Sequence, residues 1–488
     1  MKTKLFSFLV LTFTFNIVFA QSGWFLQTSG TSNPLYSVHF IDNNTGWTVG
    51  GAGTILKTTN GGTNWTTQTS GTSAILNSVH FINNNTGWTV GEYGIILKTP
   101  NGGTNWTSQT SGTSSYLLSV HFIDNNTGWT VGWGPILKTT NGGTNWISQT
   151  GAIELYSIQF LDNNTGWTVG GDGYSVYIFK TTNGGTNWIS QIGELVGYLY
   201  SVHFIDNNTG WAVGDPGTIL KTTNGGTNWT SQTSGTSSLN SVHFIDNNTG
   251  WTVGYPGTIL KTTNGGTNWT RQTSGSVGFL FSVHFIDNNT GWTVGHPGTI
   301  LKTTTGGGSI LNLTGIIQGF YNSTSNTMVA DTVTVYLRNA VSPFAKIDSA
   351  KSVLATNGEG SFIFFNVING TNYYIVLTHR NSIETWSSSG NAFVSGSLAY
   401  NFTPAANTAY GSNQIQVDIT PVRFAIYSGD VNQDGVVDGT DAALVDNDVF
   451  NFLTGYLVSD LTGDEIVDGS DASIADNNSF NFVSVVRP

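Results

Sequence analysis

The 488 residues hold only 9% charged side chains, 62 glycines, 16 tryptophans and no cysteine, with a net charge of −12. Without cysteine there is no disulfide framework, thiolate zinc site or cysteine nucleophile, and the acidic balance excludes a nucleic-acid surface, which needs clustered Lys and Arg. The 28 Phe and 17 Tyr are too many for a disordered chain.

In chain order, Lys2 and Lys4 precede an apolar run from Leu5 to Phe19, and Val18-Phe19-Ala20 offers a small-residue cleavage site before Gln21. Residues 1–20 therefore read as a secretory signal peptide, and the mature protein is expected outside the cell, secreted or at the cell surface. No later segment reaches the ~18 consecutive apolar residues of a membrane span.

Thr-Gly-Trp then recurs with its Trp at Trp47, Trp88, Trp129, Trp167, Trp211, Trp251 and Trp292. A period near 40 residues, divided into four short β-branched and aromatic runs, predicts four-stranded propeller blades. Residues 21–305 are thus expected to form a seven-bladed β-propeller. Gly23-Trp24-Phe25-Leu26-Gln27-Thr28 matches the outer-strand pattern that the last repeat lacks, so the N-terminus should complete the last blade.

The segment Thr58-Thr59-Asn60-Gly61-Gly62-Thr63-Asn64-Trp65 and its copies resemble the Asp-box, or bacterial neuraminidase repeat. With Gly46-Trp47-Thr48-Val49-Gly50 before it, the whole unit resembles the propellers of the photosystem II assembly factor family. In that family and in sialidases the box is a structural turn, so the resemblance implies a scaffold rather than catalysis. The physical reading agrees, because Asn-Gly is a hairpin signal and the Trp packs between blades.

The A–B and C–D loops of the repeats are nearly identical, whereas the B–C loops differ. They carry Glu92, Tyr93, Trp133, Asp172, Tyr174, Asp215, Tyr255 and His296, and the D–A loops add Tyr116, Glu154, Glu194, Tyr198 and Phe279. Aromatic plates with scattered acids on one face suit a carbohydrate or protein ligand. The repeated His39, His80, His121, His203, His243 and His284, with Gln159 in the fourth unit, and the seven repeated lysines read as structural. A sialidase needs an arginine cluster, and the propeller holds only Arg271. The competing reading is a polysaccharide-degrading glycoside hydrolase, which needs two opposed carboxylates drawn from Glu92, Asp172 and Asp215.

Residues 310–427 alternate as short strands and predict a β-sandwich, similar to immunoglobulin-like or carboxypeptidase-regulatory-like modules. His379, Arg380, Glu384 and Trp386 form a polar group there, read first as satisfied loop contacts. The all-β body is followed by a small helical module at 428–488. Asp430, Asn432, Asp434, Val436, Asp438 and Asp441 fall at positions 1, 3, 5, 7, 9 and 12 of a calcium loop, with Val436 at the backbone-carbonyl position. Asp460, Thr462, Asp464, Ile466, Asp468 and Asp471 repeat the pattern, with Glu465 where the turn wants Gly. Paired loops, each followed by one helix, resemble a type I dockerin, whose recognition pair falls at Gly439-Thr440 and Gly469-Ser470. Val436, Leu444, Phe450, Phe452, Ile466, Ile474, Phe480 and Phe482 are the expected apolar core of this tail.

The expectation is an exported, non-enzymatic binding protein with calcium as its cofactor. Its propeller face takes a carbohydrate or protein, its tail a cohesin-like or cell-surface partner, and no nucleic acid is bound. The alternative is the hydrolase, docked through the same tail.

Overall fold

The computed structural model describes residues 23–149, 153–191, 196–272, 274–276, 278–368, 370–394 and 396–488. The signal-peptide reading and Glu194 lie outside them.

In the first repeat, strands A to D are Leu35–Phe40, Gly46–Gly50, Ile55–Thr58 and Thr66–Gln68, paired antiparallel in that order. Five further units repeat the order through Gln272. A last unit takes Leu280–Phe285, Gly291–Gly295 and Thr299–Thr303 as strands A to C. Its D strand is the N-terminal Phe25–Gln27, with Phe25 opposite Lys302 and Gln27 opposite Ile300. Each A strand packs on the A strands of its two neighbours, and the last returns to the first, so the sheets close a circle.

Short polar side chains make the turns. The Asp42 carboxylate accepts the N–H groups of Asn44 and Thr45 at 2.7 and 2.6 Å, which reverses the chain between A and B. Between C and D, Thr58 Oγ1 accepts from Gly62 N at 2.8 Å and Asn60 Oδ1 from Asn64 N at 2.9 Å. The triglycine Gly306-Gly307-Gly308 provides the same turn in the last unit, where Gly307 N donates to Thr303 Oγ1 and Gly23 N to the Gly308 carbonyl.

Cohesion between units comes from the repeated aromatics. All seven B-strand tryptophans are fully buried. Trp47 stacks on Phe81 of the next unit at 3.5 Å, and the series closes with Trp292 on Phe40, also at 3.5 Å. Such contacts contribute about 0.5–1.5 kcal/mol each beyond the area they bury. The repeated lysines lie over these rings, Lys57 Nζ standing 5.2 Å from the Trp47 centroid, which accords with the structural reading.

After the circle, two sheets face each other across one core. Ser309–Thr314, Glu359–Phe364 and Ser397–Asn401 form one, and the other is built on Asp331–Asn339, Lys346–Leu354, Asn372–His379 and Ser382–Trp386. Leu311, Leu313, Phe362 and Phe364 meet Val333, Val335, Leu337, Ile375 and Leu377 between them. The tail holds two helices, α1 (Gly439–Phe450) and α2 (Gly469–Phe480), each opened by a capping box, Asp438 with Asp441 and Asp468 with Asp471. Among the described residues no helix is long and apolar enough to cross a membrane.

The tail core differs from expectation. Val431, Val445, Leu461, Val467 and Ala475 fill it, with Ile474 packed against them. Phe450, Phe452, Phe480 and Phe482 instead stand 81–87% exposed, and Val436, Leu444 and Ile466 are exposed as well. The four phenylalanines fall where the helices end and the chain turns away from the packed face.

Candidate functional site

The variable B–C and D–A loops meet on one face of the circle, at the N-terminal ends of the A strands. Each A strand carries a β-bulge there, with the register shifting around one residue: Tyr36, Asn77, Leu118, Tyr156, Tyr200, Asn240 and Phe281. A bulge re-aims a side chain. These seven positions differ from unit to unit inside a strand otherwise nearly invariant, and that local variety is the signal in the sequence that marks them. Sequence reasoning passed over them by attending to loops alone.

Bulge residues and loop residues join into an arc of rings. Tyr255 stacks on Phe279 at 4.3 Å, Phe279 meets Phe281 at 5.8 Å, and Phe281 meets Tyr36 at 5.0 Å. Burial and the charge of Glu92 both raise the pKa of Tyr36. Glu92 also raises that of Tyr116, behind the larger effect of its hydrogen bond with Tyr93. Tyr93 packs edge-on to Tyr116 at 5.6 Å, and Tyr116 stacks on Trp133 at 5.0 Å. Burial, then the Glu154 carboxylate, raises the pKa of Tyr156, and neighbouring Trp133 offsets part of that rise. Tyr156 then reaches Tyr200 at 5.2 Å and Tyr198 at 6.2 Å. Burial first, and then the nearby Asp215 carboxylate, pushes Tyr200 up to about 12.

The structure therefore brings together Glu92, Tyr93, Trp133, Asp215 and Tyr255 of the expected face. It does not draw in three others. Tyr174 is 87% exposed and makes no ring contact among the described residues. Asp172 is occupied within its own loop, accepting from Tyr174 N at 2.9 Å, Ser175 N at 2.8 Å and the Tyr177 hydroxyl at 2.7 Å. His296 lines a cavity of about 970 Å³ beside Trp24 and Phe365, where the circle meets the sandwich. Charge differs between the faces. Glu92 and Asp215 lie beside the arc without a basic partner among the described residues. On the opposite face the A–B turn aspartates, Asp42 among them, share the surface with the lysines of the C–D turns, Lys98 Nζ donating to the Gly142 carbonyl at 2.9 Å.

Deeper along the axis the repeated histidines touch ring to ring, His39 lying 4.9 Å from both His80 and His284. His243 Nδ1 accepts from Phe285 N at 2.7 Å, and Gln159 makes the equivalent contact, its Oε1 accepting from Phe204 N at 2.6 Å. These bonds stitch neighbouring A strands together.

In the tail, the first loop folds around Asp430 and Asp441, only 3% and 0% exposed. Asp430 accepts from Asp434 N and Gly435 N, both at 3.1 Å, and Asp441 from Val431 N at 2.9 Å and Asp438 N at 3.1 Å. Burial, then the Asp441 and Asp434 carboxylates, pushes Asp430 up to about 6. Among the described residues no three His, Cys, Asp or Glu side chains are grouped so as to hold a metal ion. The Asn432 amide donates to Asp434 Oδ2 at 2.9 Å and to Thr440 Oγ1 at 3.2 Å. The second loop repeats these contacts through Asp460 and Asp471, and Glu465 adopts φ 65, the conformation a Gly holds in the first loop.

Four-stranded sheets set around an axis, with an aromatic mouth on one face, define a β-propeller. A family model described as photosynthesis system II assembly factor YCF48 matches residues 17–112, 149–235, 193–275 and 233–314, more than half of the chain, and the chain belongs to that family. Two solved structures carry the same fold. "YCF48 bound to D1 peptide" is 23% identical, with a TM-score of 0.51 over 58% of this chain and 97% of its own. "YCF48 from Cyanidioschyzon merolae" is 21% identical, with a TM-score of 0.50 over 58% and 99%. No curated protein matches the chain.

Proposed function

We propose that this is an exported, non-enzymatic binding protein whose seven units act as blades and whose variable face holds a peptide segment of a partner protein. The observation that carries the reading is the arc from Tyr255 to Tyr200, built jointly by loops and bulge residues. Aromatic faces beside Glu92, Glu154 and Asp215 favour a ligand with Lys or Arg between apolar residues, since cations gain from both the rings and the carboxylates. A YCF48 relative holds a peptide, which supports the same use of the fold. The hydrolase reading loses one of its three acids, because the Asp172 carboxylate is committed to its own loop.

The tail is proposed to bind calcium and to tether the propeller to a surface or a cohesin-like partner. Asp430, Asn432, Asp434, Val436, Asp438 and Asp441 would hold the first ion. The donor chemistry fits, since oxygen ligands suit calcium and a divalent cation relieves the repulsion felt by buried Asp430. Bound calcium would stabilise the folded tail by linkage, about 2.7 kcal/mol at a hundredfold excess over its Kd.

The test is a peptide array and a glycan array probed with the mature chain, beside an assay for sugar release from plant and microbial polysaccharides. Binding to basic, apolar-spaced peptides with no sugar release is the expected result. Sugar release abolished by Glu92→Gln or Asp215→Asn would establish the hydrolase instead, and binding to glycans alone would make the ligand a carbohydrate.

A further inference from the structure

The polar group of the sandwich turns out to face the tail. Arg380 Nη2 lies 3.5 Å from Asp460 Oδ2, the first carboxylate of the second loop, while Arg380 Nε lies 3.2 Å from Asp331 Oδ2 in the sandwich. The guanidinium is flanked by the Tyr456 ring at 4.1 Å, and the Tyr456 hydroxyl donates to Asp331 Oδ1 at 2.6 Å. Asn381 Nδ2 donates to the Asp460 carbonyl at 2.9 Å. The Arg380 and Asp460 side chains are only 13% and 1% exposed, so this is a desolvated pair rather than a surface contact.

The backbone has been shaped for the same contact. A Cβ on Gly319 would collide with the Leu461 carbonyl, and one on Gly463 would enter the Phe320 ring. Gly463 has no glycine counterpart in the first loop, where Gln433 stands. Among the described residues no basic side chain forms an ion pair with a first-loop carboxylate.

We propose that the two duplicated loops have diverged in the cation that balances them. The first takes a divalent ion, and the second is clasped to the sandwich by Arg380, whose guanidinium holds the Asp460 carboxylate that a calcium ion would otherwise need. The departure at Gly463 is then an adaptation to that interface. A second ion at the Asp460 carboxylate would lie beside a fixed positive charge, which disfavours it. This rests on the calcium reading of the first loop.

Calorimetric titration of the mature chain with calcium, together with thermal melting in chelator, separates the two claims. Wild type is expected to take one calcium, Asp430→Ala none, Asp460→Asn still one, and Arg380→Gln two. In chelator, Arg380→Gln and Asp460→Asn should each lower the melting temperature, and the double variant should fall no further than the worse single one. Two calcium ions in wild type, unchanged by Arg380→Gln, would overturn the clasp and leave the calcium reading intact. Additive melting shifts would overturn it as well. No calcium in wild type would sink the calcium reading, while non-additive shifts would still uphold the clasp. Should Arg380→Gln not fold, Arg380→Lys, which keeps the charge but not the fork, is expected to melt lower in chelator and still to take one calcium, and two calcium ions in that variant would overturn the clasp.

Discussion

The axial histidines show how a repeated residue becomes a property of the protein. Desolvation pushes His39 and His121 down to about 4 and His203 to about 3, and lowers His80, His243 and His284 too. In the unfolded chain each returns to about 6.5. Below that value the unfolded state binds more protons, so this stability is complete above about pH 6.5 and is lost as pH falls towards 4. The melting temperature should drop over that range. Replacing His39, His80 and His121 with Gln, the residue already at position 159, should flatten the drop, and an unchanged slope in the triple variant would contradict the assignment. The histidine series was plain in the sequence, but its ring-to-ring packing was not, because spacing along a chain carries no radius. The bulge residues were missed for a related reason. A bulge leaves the alternation of Leu35, Val38 and Phe40 readable while displacing Tyr36 alone, so only comparison between repeats exposes it.

Among the elements, the N-terminal strand makes the most exacting test. Trp24 is 8% exposed, packs edge-on to Phe285 at 5.6 Å and donates to Gln272 Oε1 at 2.8 Å. Trp65 repeats this, edge-on to Phe40 and bonded to Gln27. Trp24→Ala should cost about 3–5 kcal/mol, as for other buried Trp truncations, and deleting residues 21–30 should also free an edge and promote aggregation. A deletion variant that melts with wild type would refute the closure. This strand was legible because its motif recurs seven times. Lys346–Leu354 was not, since its burial is slight along most of its length and it carries no apolar face to read. The tail phenylalanines misled in the opposite direction. Their hydrophobicity suggested a core, but Phe452 and Phe482 sit past the helix ends with φ of 52° and 54°, turned outward. The duplicated valines and Leu461, less conspicuous, fill the interior.

For the whole molecule, repeats, turns and duplicated acidic loops carried the organisation, whereas contacts between modules left no trace in pattern. Nothing in the spacing of Arg380 announces Asp460, eighty residues on, and it takes the folded chain to bring them within 3.5 Å. The variable face carries the proposed function. The most direct measurement is the affinity of one array-selected basic peptide for the mature chain and for three variants, Tyr156→Ala, Trp133→Ala and Tyr174→Ala. Loss of a hot-spot aromatic costs about 2 kcal/mol or more, close to thirtyfold in Kd. Tyr156→Ala and Trp133→Ala should each weaken binding on that scale with unchanged melting, while Tyr174→Ala, outside the arc, should bind as wild type. Equal affinity for the wild type and both arc variants would contradict the assignment of this face as the binding site.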